Sequence, residues 1–257
     1  MYKYLVFFDL DSTLFDANSK VNDEVANAMD EIRANGGLPV IATGRTLYEI
    51  PDTLAKTKIN TVVASNGDYG MFENHELFHR VINPQTIDEL IEFANQHGNS
   101  VTMLDQNGKG SSAHDHLLLD ACARVHAPVP KLVKRDYWHD RPIDMMFVTN
   151  KDLDDVYISK FGDRLTFFRN SPFSIDIVDH NASKATGIKT LIEKANLKGI
   201  PTYAFGDGNN DIPMLDYVDH PIVMGNGLDN VKEHAEFVTT DNTNHGIIKG
   251  LKHFNLI

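Results

Sequence analysis

Cysteine is nearly absent: Cys122 is the only one in 257 residues, so no internal disulfide can form and the fold must rest on burial. That suits a reducing compartment. Long apolar runs are missing as well, since no segment approaches the roughly 20 apolar residues that a membrane span requires. The opening MYKYLVFFDLD turns acidic after a short apolar stretch and lacks the small-residue cleavage site of a secretory signal. A soluble, cytoplasmic protein is expected. Basic charge is scarce too: 24 Lys and Arg face 36 Asp and Glu, a net charge of −12. Such a surface repels phosphate backbones and disfavours a nucleic-acid partner. It would equally repel a small phosphorylated metabolite, so a site for one needs a local cation, either a metal or a few placed Lys and Arg. No internal repeat or low-complexity tract is evident.

What is present reads as two alternating patterns. Residues 4–8 (YLVFF) form the continuous apolar run of a buried strand. Val25, Ala28, Met29 and Ile32 recur at helical spacing, with Asn22 placed to cap the start and Gly36-Gly37 the end. LPVIAT (38–43) and TVVAS (61–65) read as further buried strands, with a Pro51-interrupted helix between them. Strand and helix in alternation predict a parallel sheet with crossover helices. After the Asn66-Gly67 turn the pattern changes to a short hairpin, a helix opening at Pro84, strands over 100–104 and 143–149, helices over 112–125 and 152–161, and strands near 164–169 and 174–178. From Ser183 the first pattern returns, with strands TYAFG (202–206) and PIVMG (221–225). The expected fold is α/β: a Rossmann-like core with a parallel sheet, built from residues 1–82 and 181–257, interrupted by an inserted α+β cap over 83–180.

Three segments place polar residues just after a predicted core strand, the edge at which open α/β sheets bind ligands. In FFDLDSTL, Asp9 and Asp11 follow the first strand. Two carboxylates so close repel unless a cation, a proton or a donor compensates, and a hard divalent ion such as Mg²⁺ would do so while leaving positions for phosphate oxygens. The same Asp, Ser and Thr residues also serve as ordinary turn caps. In IATGR, Thr43 offers a hydroxyl, Gly44 a close backbone approach and Arg45 a guanidinium fork for an anion, although Thr-Gly is also a common turn. In AFGDGNNDIPM, Asp207, Asn210 and Asp211 let one loop aim several oxygens at a point, beyond what a helix cap requires. Lys184 opens the helix after Asp179.

In order and context these segments resemble the haloacid dehalogenase-like hydrolase superfamily, in its Cof-type phosphatase branch. The resemblance is carried by DLDSTL, TGR, SNG (65–67), Lys184, GDGNND, MGN (224–226) and HGI (245–247). It implies a phosphatase for small phosphate monoesters, sugar phosphates or related metabolites. Asp9 would be the nucleophile forming an aspartyl-phosphate, and Asp11 the general acid and then base. Asp9, the backbone carbonyl of Asp11, and Asp207 would hold Mg²⁺, with Asp211 supporting the loop or the metal through water. Thr43, Gly44, Lys184 and Asn210 would bind phosphate, and Arg45 could reach the substrate. The insertion, falling between Arg45 and Lys184, resembles the larger cap set of that superfamily.

Two residues depart from the branch pattern: Ser12 stands where Gly is usual and His245 where an acidic residue is usual. Neither removes a catalytic group. His114, His116, Arg124, Tyr137, Trp138 and His139 are cap residues that packing or solvation explains as readily as ligand binding. A phosphomutase would use the same motifs, and a non-catalytic phosphometabolite sensor would need no nucleophile at Asp9.

Overall fold

The structure, a computed structural model, describes residues 2–124, 128–169 and 171–257. Its chain separates into two compact units, one of Met1–Arg45, Glu49–Phe78 and Ser183–Ile257, the other of Thr46–Tyr48 and His79–Ala182.

The first unit starts with β1 (Tyr4–Phe8), α1 (Asp23–Ala34), β2 (Gly37–Ala42), α2 (Pro51–Thr57) and β3 (Val62–Ala64), followed by β4 (Tyr69–Phe72) and β5 (His75–His79), whose last residue belongs to the second unit. Asn22 caps α1 by accepting from the Val25 amide at 2.9 Å, as its residue type predicts. The strands are apolar on both faces because helices cover both, and Leu5, Val6, Phe7 and Phe8 are fully buried.

The second unit holds α3 (Pro84–Gln96), β6 (Val101–Asp105), β7 (Gly108–Ser111), α4 (His116–Arg124), β8 (Lys131–Leu132), α5 (Arg135–His139), β9 (Met145–Thr149), α6 (Asp154–Phe161), β10 (Leu165–Phe168) and β11 (Ser174–Asp179). These strands form one six-stranded sheet in the order β10-β11-β9-β6-β7-β8, mostly antiparallel. Its apolar core joins Leu90, Val101, Met146, Tyr157 and Phe161. The helix expected over 112–125 begins only at His116. Two side-chain bonds explain the late start: Asp105 turns the chain by accepting from the Asn107 amide at 2.7 Å, which frees residues 108–111 to pair as β7, and Asp115 caps the helix at the Leu118 amide at 2.8 Å. Val125, at the far end of that expectation, lies outside the described residues.

The chain then re-enters the first unit through α7 (Lys184–Lys194), β12 (Thr202–Gly206), α8 (Ile212–Tyr217), β13 (His220–Val223), α9 (Asp229–Lys232), β14 (Phe237–Val238) and α10 (Gly246–His253). All eight strands of this unit form one sheet in the order β14-β13-β12-β1-β2-β3-β4-β5. It is parallel from β14 to β3 and antiparallel between β3 and β4. The hairpin after Asn66-Gly67 therefore extends the core sheet. From β1 the order runs outward through β2 and β3 on one side and through β12 and β13 on the other. Between β1 and β12 strand order therefore reverses, the position at which open α/β sheets bind ligands beyond the carboxyl ends of their strands. Phe8 pairs with Phe205 in register and stacks on it with ring centroids 5.1 Å apart.

Candidate active site

Asp9 and Asp207 leave β1 and β12 on the two sides of that reversal point. The sheet continues one bond past Phe8, because the Asp9 amide donates to the Phe205 carbonyl at 3.0 Å, and likewise the Thr43 amide donates to Val63 at 2.9 Å. These bonds fix where Asp9 and Thr43 stand. Beyond Asp9 the chain makes a tight turn over Leu10–Leu14, in which Ser12 takes a left-handed φ of 61°. The turn buries Leu10, Thr13 and Leu14 and leaves Asp11 and Ser12 exposed. Thr13 then donates its hydroxyl to Asp207 Oδ1 at 2.8 Å, tying the two loops together.

Lys184 is the first residue of α7, after Ser183, which forms a reciprocal capping box with Thr186. A lysine is poorly matched to the positive end of a helix. Here it is fully buried, and its ammonium bonds Asp9 and, at 2.6 Å, Asp211 Oδ1. The other oxygen of Asp211 accepts from the Asp207 and Gly208 amides at 2.9 and 3.0 Å, pinning the loop after β12. Asp211 therefore shapes the loop and anchors the lysine at once.

Asp9, Asp207 and Asp211 each present a carboxylate oxygen, and these atoms lie within 4.8 Å of one another. Burial raises Asp9 well above the usual carboxylate range; Lys184 pulls it back, and Asp211 and Asp207 push it further up. Burial also lifts Asp207 to about 6, with the Thr13 hydroxyl opposing and Asp211 adding to the rise. For Lys184, burial acts to lower the pKa, and the charges of Asp211 and Asp9 override it, so the ammonium is held above its ordinary value. One ammonium does not balance three carboxylates. The uncompensated charge and the all-oxygen donor set fit a hard divalent cation.

The carboxylate of Asp11 turns elsewhere. Arg45 grips it bidentately, Nε to Oδ2 at 2.8 Å and Nη2 to Oδ1 at 2.6 Å, with the guanidinium 5.2 Å from the Phe15 ring. The Thr43 hydroxyl is buried and accepts from the Arg45 amide at 3.1 Å. Asn210 donates to Asn66 Oδ1 at 3.2 Å, and a side chain on Gly44 would meet the amide of Asn66. Asp9, Asp207, Asp211, Lys184 and Thr13 are joined directly, Asp11 and Arg45 form a second pair, and Asn210 is drawn toward Gly44 through Asn66.

Thr13 and Asn66 were not among the expected site residues. The spacing of Thr13 after Asp9 and the SNG tripeptide were the available signals, and neither tells which atom a side chain reaches. In the second unit, Trp138 and His139 are engaged by Asp88 at 2.8 and 3.0 Å, and His114 bonds the Pro130 carbonyl at 2.7 Å.

Residues 6–251 match the haloacid dehalogenase-like hydrolase family, and the chain belongs to it, in the Cof-type branch that the motifs pointed to. It is a phosphatase of that family, whose members use a divalent metal and act on small phosphorylated substrates. A Bacillus subtilis (strain 168) protein named "Putative phosphatase YkrA" is 27% identical over 254 residues, covering 98% of each chain. Another from the same organism, named 5-amino-6-(5-phospho-D-ribitylamino)uracil phosphatase YcsE, is 24% identical over 258 residues, covering 98% of this chain and 96% of its own. The solved structure of BT1666 from Bacteroides thetaiotaomicron, described among phosphatases of the same superfamily, superposes with a TM-score of 0.91 at 25% identity, covering 100% of this chain and 96% of that one. No helix among the described residues is long and apolar enough to cross a membrane.

Proposed function

We propose that the protein is a Mg²⁺-dependent phosphatase that hydrolyses small phosphate monoesters, of phosphorylated sugars, polyols or related metabolites, through an aspartyl-phosphate on Asp9. The observation that carries this reading is the placement of Asp9: a buried carboxylate at the strand-order reversal, bonded by Lys184 and close to Asp207 and Asp211. The name of the YcsE relative, a phosphatase for a phosphoribityl compound, supports the substrate class.

Asp9, the backbone carbonyl of Asp11, Asp207 and Asp211 would hold the ion. When bound, it supplies neutralisation of charge between a carboxylate nucleophile and an anionic phosphate. The work left to the chain is alignment and further charge balance, which dominate phosphoryl transfer. A carboxylate oxygen of Asp9 attacks phosphorus in line with the ester oxygen. As the ester bond breaks, Asp11, which has left the Arg45 fork and taken a proton from solvent, gives that proton to the departing alcohol. Water then attacks the phosphorus of the acyl phosphate, Asp11 takes the proton back, and Asp9 leaves as a free carboxylate with inorganic phosphate as product. Lys184, Thr43, Gly44 and Asn210 hold the phosphoryl oxygens, and Arg45 orients Asp11 between the steps.

The test is phosphate release from a panel of phosphorylated metabolites, with and without Mg²⁺, by wild type and Asp9→Asn. Metal-dependent release abolished in the variant is the expected result. Release that survives the substitution unchanged would exclude Asp9 as nucleophile.

A further inference from the structure

We infer that Asn66 is a positioning residue for phosphoryl transfer, acting through Asn210; this rests on the phosphatase reading above.

Asn66 lies in the turn Ser65–Gly67 that leaves β3, and it is fully buried. Three successive residues there take left-handed φ angles: Ser65 at 52°, Asn66 at 48° and Gly67 at 106°. The first two carry side chains, for which that region is disfavoured, less so for Asn than for Ser. Such strain persists only where the surroundings impose it, and it gathers at functional sites.

What the turn achieves is contact with three loops. The Asn66 amide donates to the Thr43 carbonyl at 3.0 Å. Its side-chain Oδ1 accepts from Asn210 Nδ2 at 3.2 Å. A Cβ on Gly44 would lie 3.1 Å from Asn66 Nδ2 and 3.2 Å from Oδ1, so the amide plane rests against the bare Cα of Gly44. Next along the chain, Gly67 is pressed against the start of α7, where a Cβ would sit 2.0 Å from the Ser183 carbonyl oxygen, one residue before Lys184.

The side chain is also incompletely satisfied. Asn66 Nδ2 is buried and has no hydrogen-bond partner among the described residues. A buried unpaired donor is destabilising, a poor choice for a residue whose only task is to fill space. The oxygen end explains the choice: it is the acceptor that orients the Asn210 amide beside the Thr43-Gly44 turn. The backbone φ of 48° explains why asparagine supplies that acceptor here, since it tolerates the left-handed region better than most residues.

The test is a double-mutant cycle of Asn66→Gly, Asn210→Ala and the double variant, following kcat, KM and competitive inhibition by inorganic phosphate. Glycine removes the amide and keeps the left-handed backbone. Asn66→Ala is measured alongside, for the case in which the freer backbone loosens the turn, and urea unfolding confirms the fold of each. Expected for Asn66→Gly is a fall in kcat of about 10-fold to 100-fold, as for a misplaced contact group, with weaker inhibition by phosphate. The double variant should be no slower than Asn210→Ala alone. An active wild type with Asn66 variants at wild-type kcat and phosphate inhibition overturns the inference alone, as do single effects that multiply in the double variant. A wild type that releases no phosphate defeats the phosphatase reading and this inference with it.

Discussion

Lys184 Nζ lies 2.6 Å from Asp211 Oδ1 while the same ammonium bonds Asp9, so one buried cation joins the end of β1 to the loop after β12. Replacing it by methionine keeps much of the volume and strands the carboxylates. Removing one partner of a buried ion pair costs about 3–5 kcal/mol. Lys184→Met should lose stability on that scale in metal-free urea unfolding at neutral pH, and should lose phosphatase activity. The deficit should shrink in mild acid, where Asp9 and Asp207, both raised, take up protons. A variant within ~1 kcal/mol of wild type at neutral pH would mean that the ammonium is not what holds these loops.

A metal held by Asp9, Asp207 and Asp211 would compete with protons for the same carboxylates. Burial first, opposed by the Thr13 hydroxyl and reinforced by Asp211, lifts Asp207 from 3.8 to about 6. Between those values the folded chain binds more protons than the unfolded one. Its contribution is therefore fully present below 3.8 and is lost as pH rises through about 6. At 1.36 kcal/mol per unit this amounts to about 3 kcal/mol in the metal-free protein. Mg²⁺ held here would bind the ionised carboxylates, so its stabilisation should grow over the same window. Thermal unfolding in EDTA and in Mg²⁺, from mild acid to mild alkali, should give curves that diverge as pH rises. Asp207→Asn should bring them together. Curves that coincide throughout would remove this cluster as a metal site.

Gly67 has no room for a side chain. Its φ is +106°, and an added Cβ would lie 2.0 Å from the Ser183 carbonyl oxygen, a backbone atom that moves only with α7. Gly67→Ala should cost about 3 kcal/mol from strained backbone and overpacking together. Because α7 begins with Lys184, the variant should also lose activity out of proportion to the fraction unfolded. Unfolding within experimental error of wild type would show that the turn accommodates the methyl group without strain.

The fold was legible wherever strand ends and caps carry local signals. Asn22 capping α1, Pro84 opening α3, and TYAFG forming β12 without a shift all follow from short-range rules. The burial of Asp9 and Asp211 against Lys184 brings together residues 175 and 27 positions apart in sequence, respectively. The family motifs marked all three, but no spacing rule reveals which oxygen meets which nitrogen. Residues 108–111 and 131–132 were illegible for another reason. Gly108, Lys109 and Gly110 have weak strand propensity, and they pair because β6 offers an edge. The short α5 likewise has too few residues for a periodic signal; it is held to α3 by side chains on Asp88.

That last contact is measurable with the chain's single tryptophan. Asp88 on α3 accepts from Arg135 Nη2 at 2.5 Å and from Trp138 Nε1 at 2.8 Å, with a ring nitrogen of His139 at 3.0 Å. Arg135 above all, against the opposing effect of burial and with help from Trp138 and His139, lowers the Asp88 pKa from 3.8 to about 2. The unfolded chain then binds more protons than the folded one between those values. The stabilisation is present above 3.8 and is lost as pH falls through about 2. The Arg135 side chain is 65% exposed, so solvent screening limits the contribution to about 1 kcal/mol. Asp88→Asn should lower stability by that amount at neutral pH, read from Trp138 fluorescence during urea unfolding. The wild type and the variant should converge only as pH falls through about 2. A gap that persists unchanged in acid would assign the effect to lost packing of the Trp138 indole instead of the Asp88 charge.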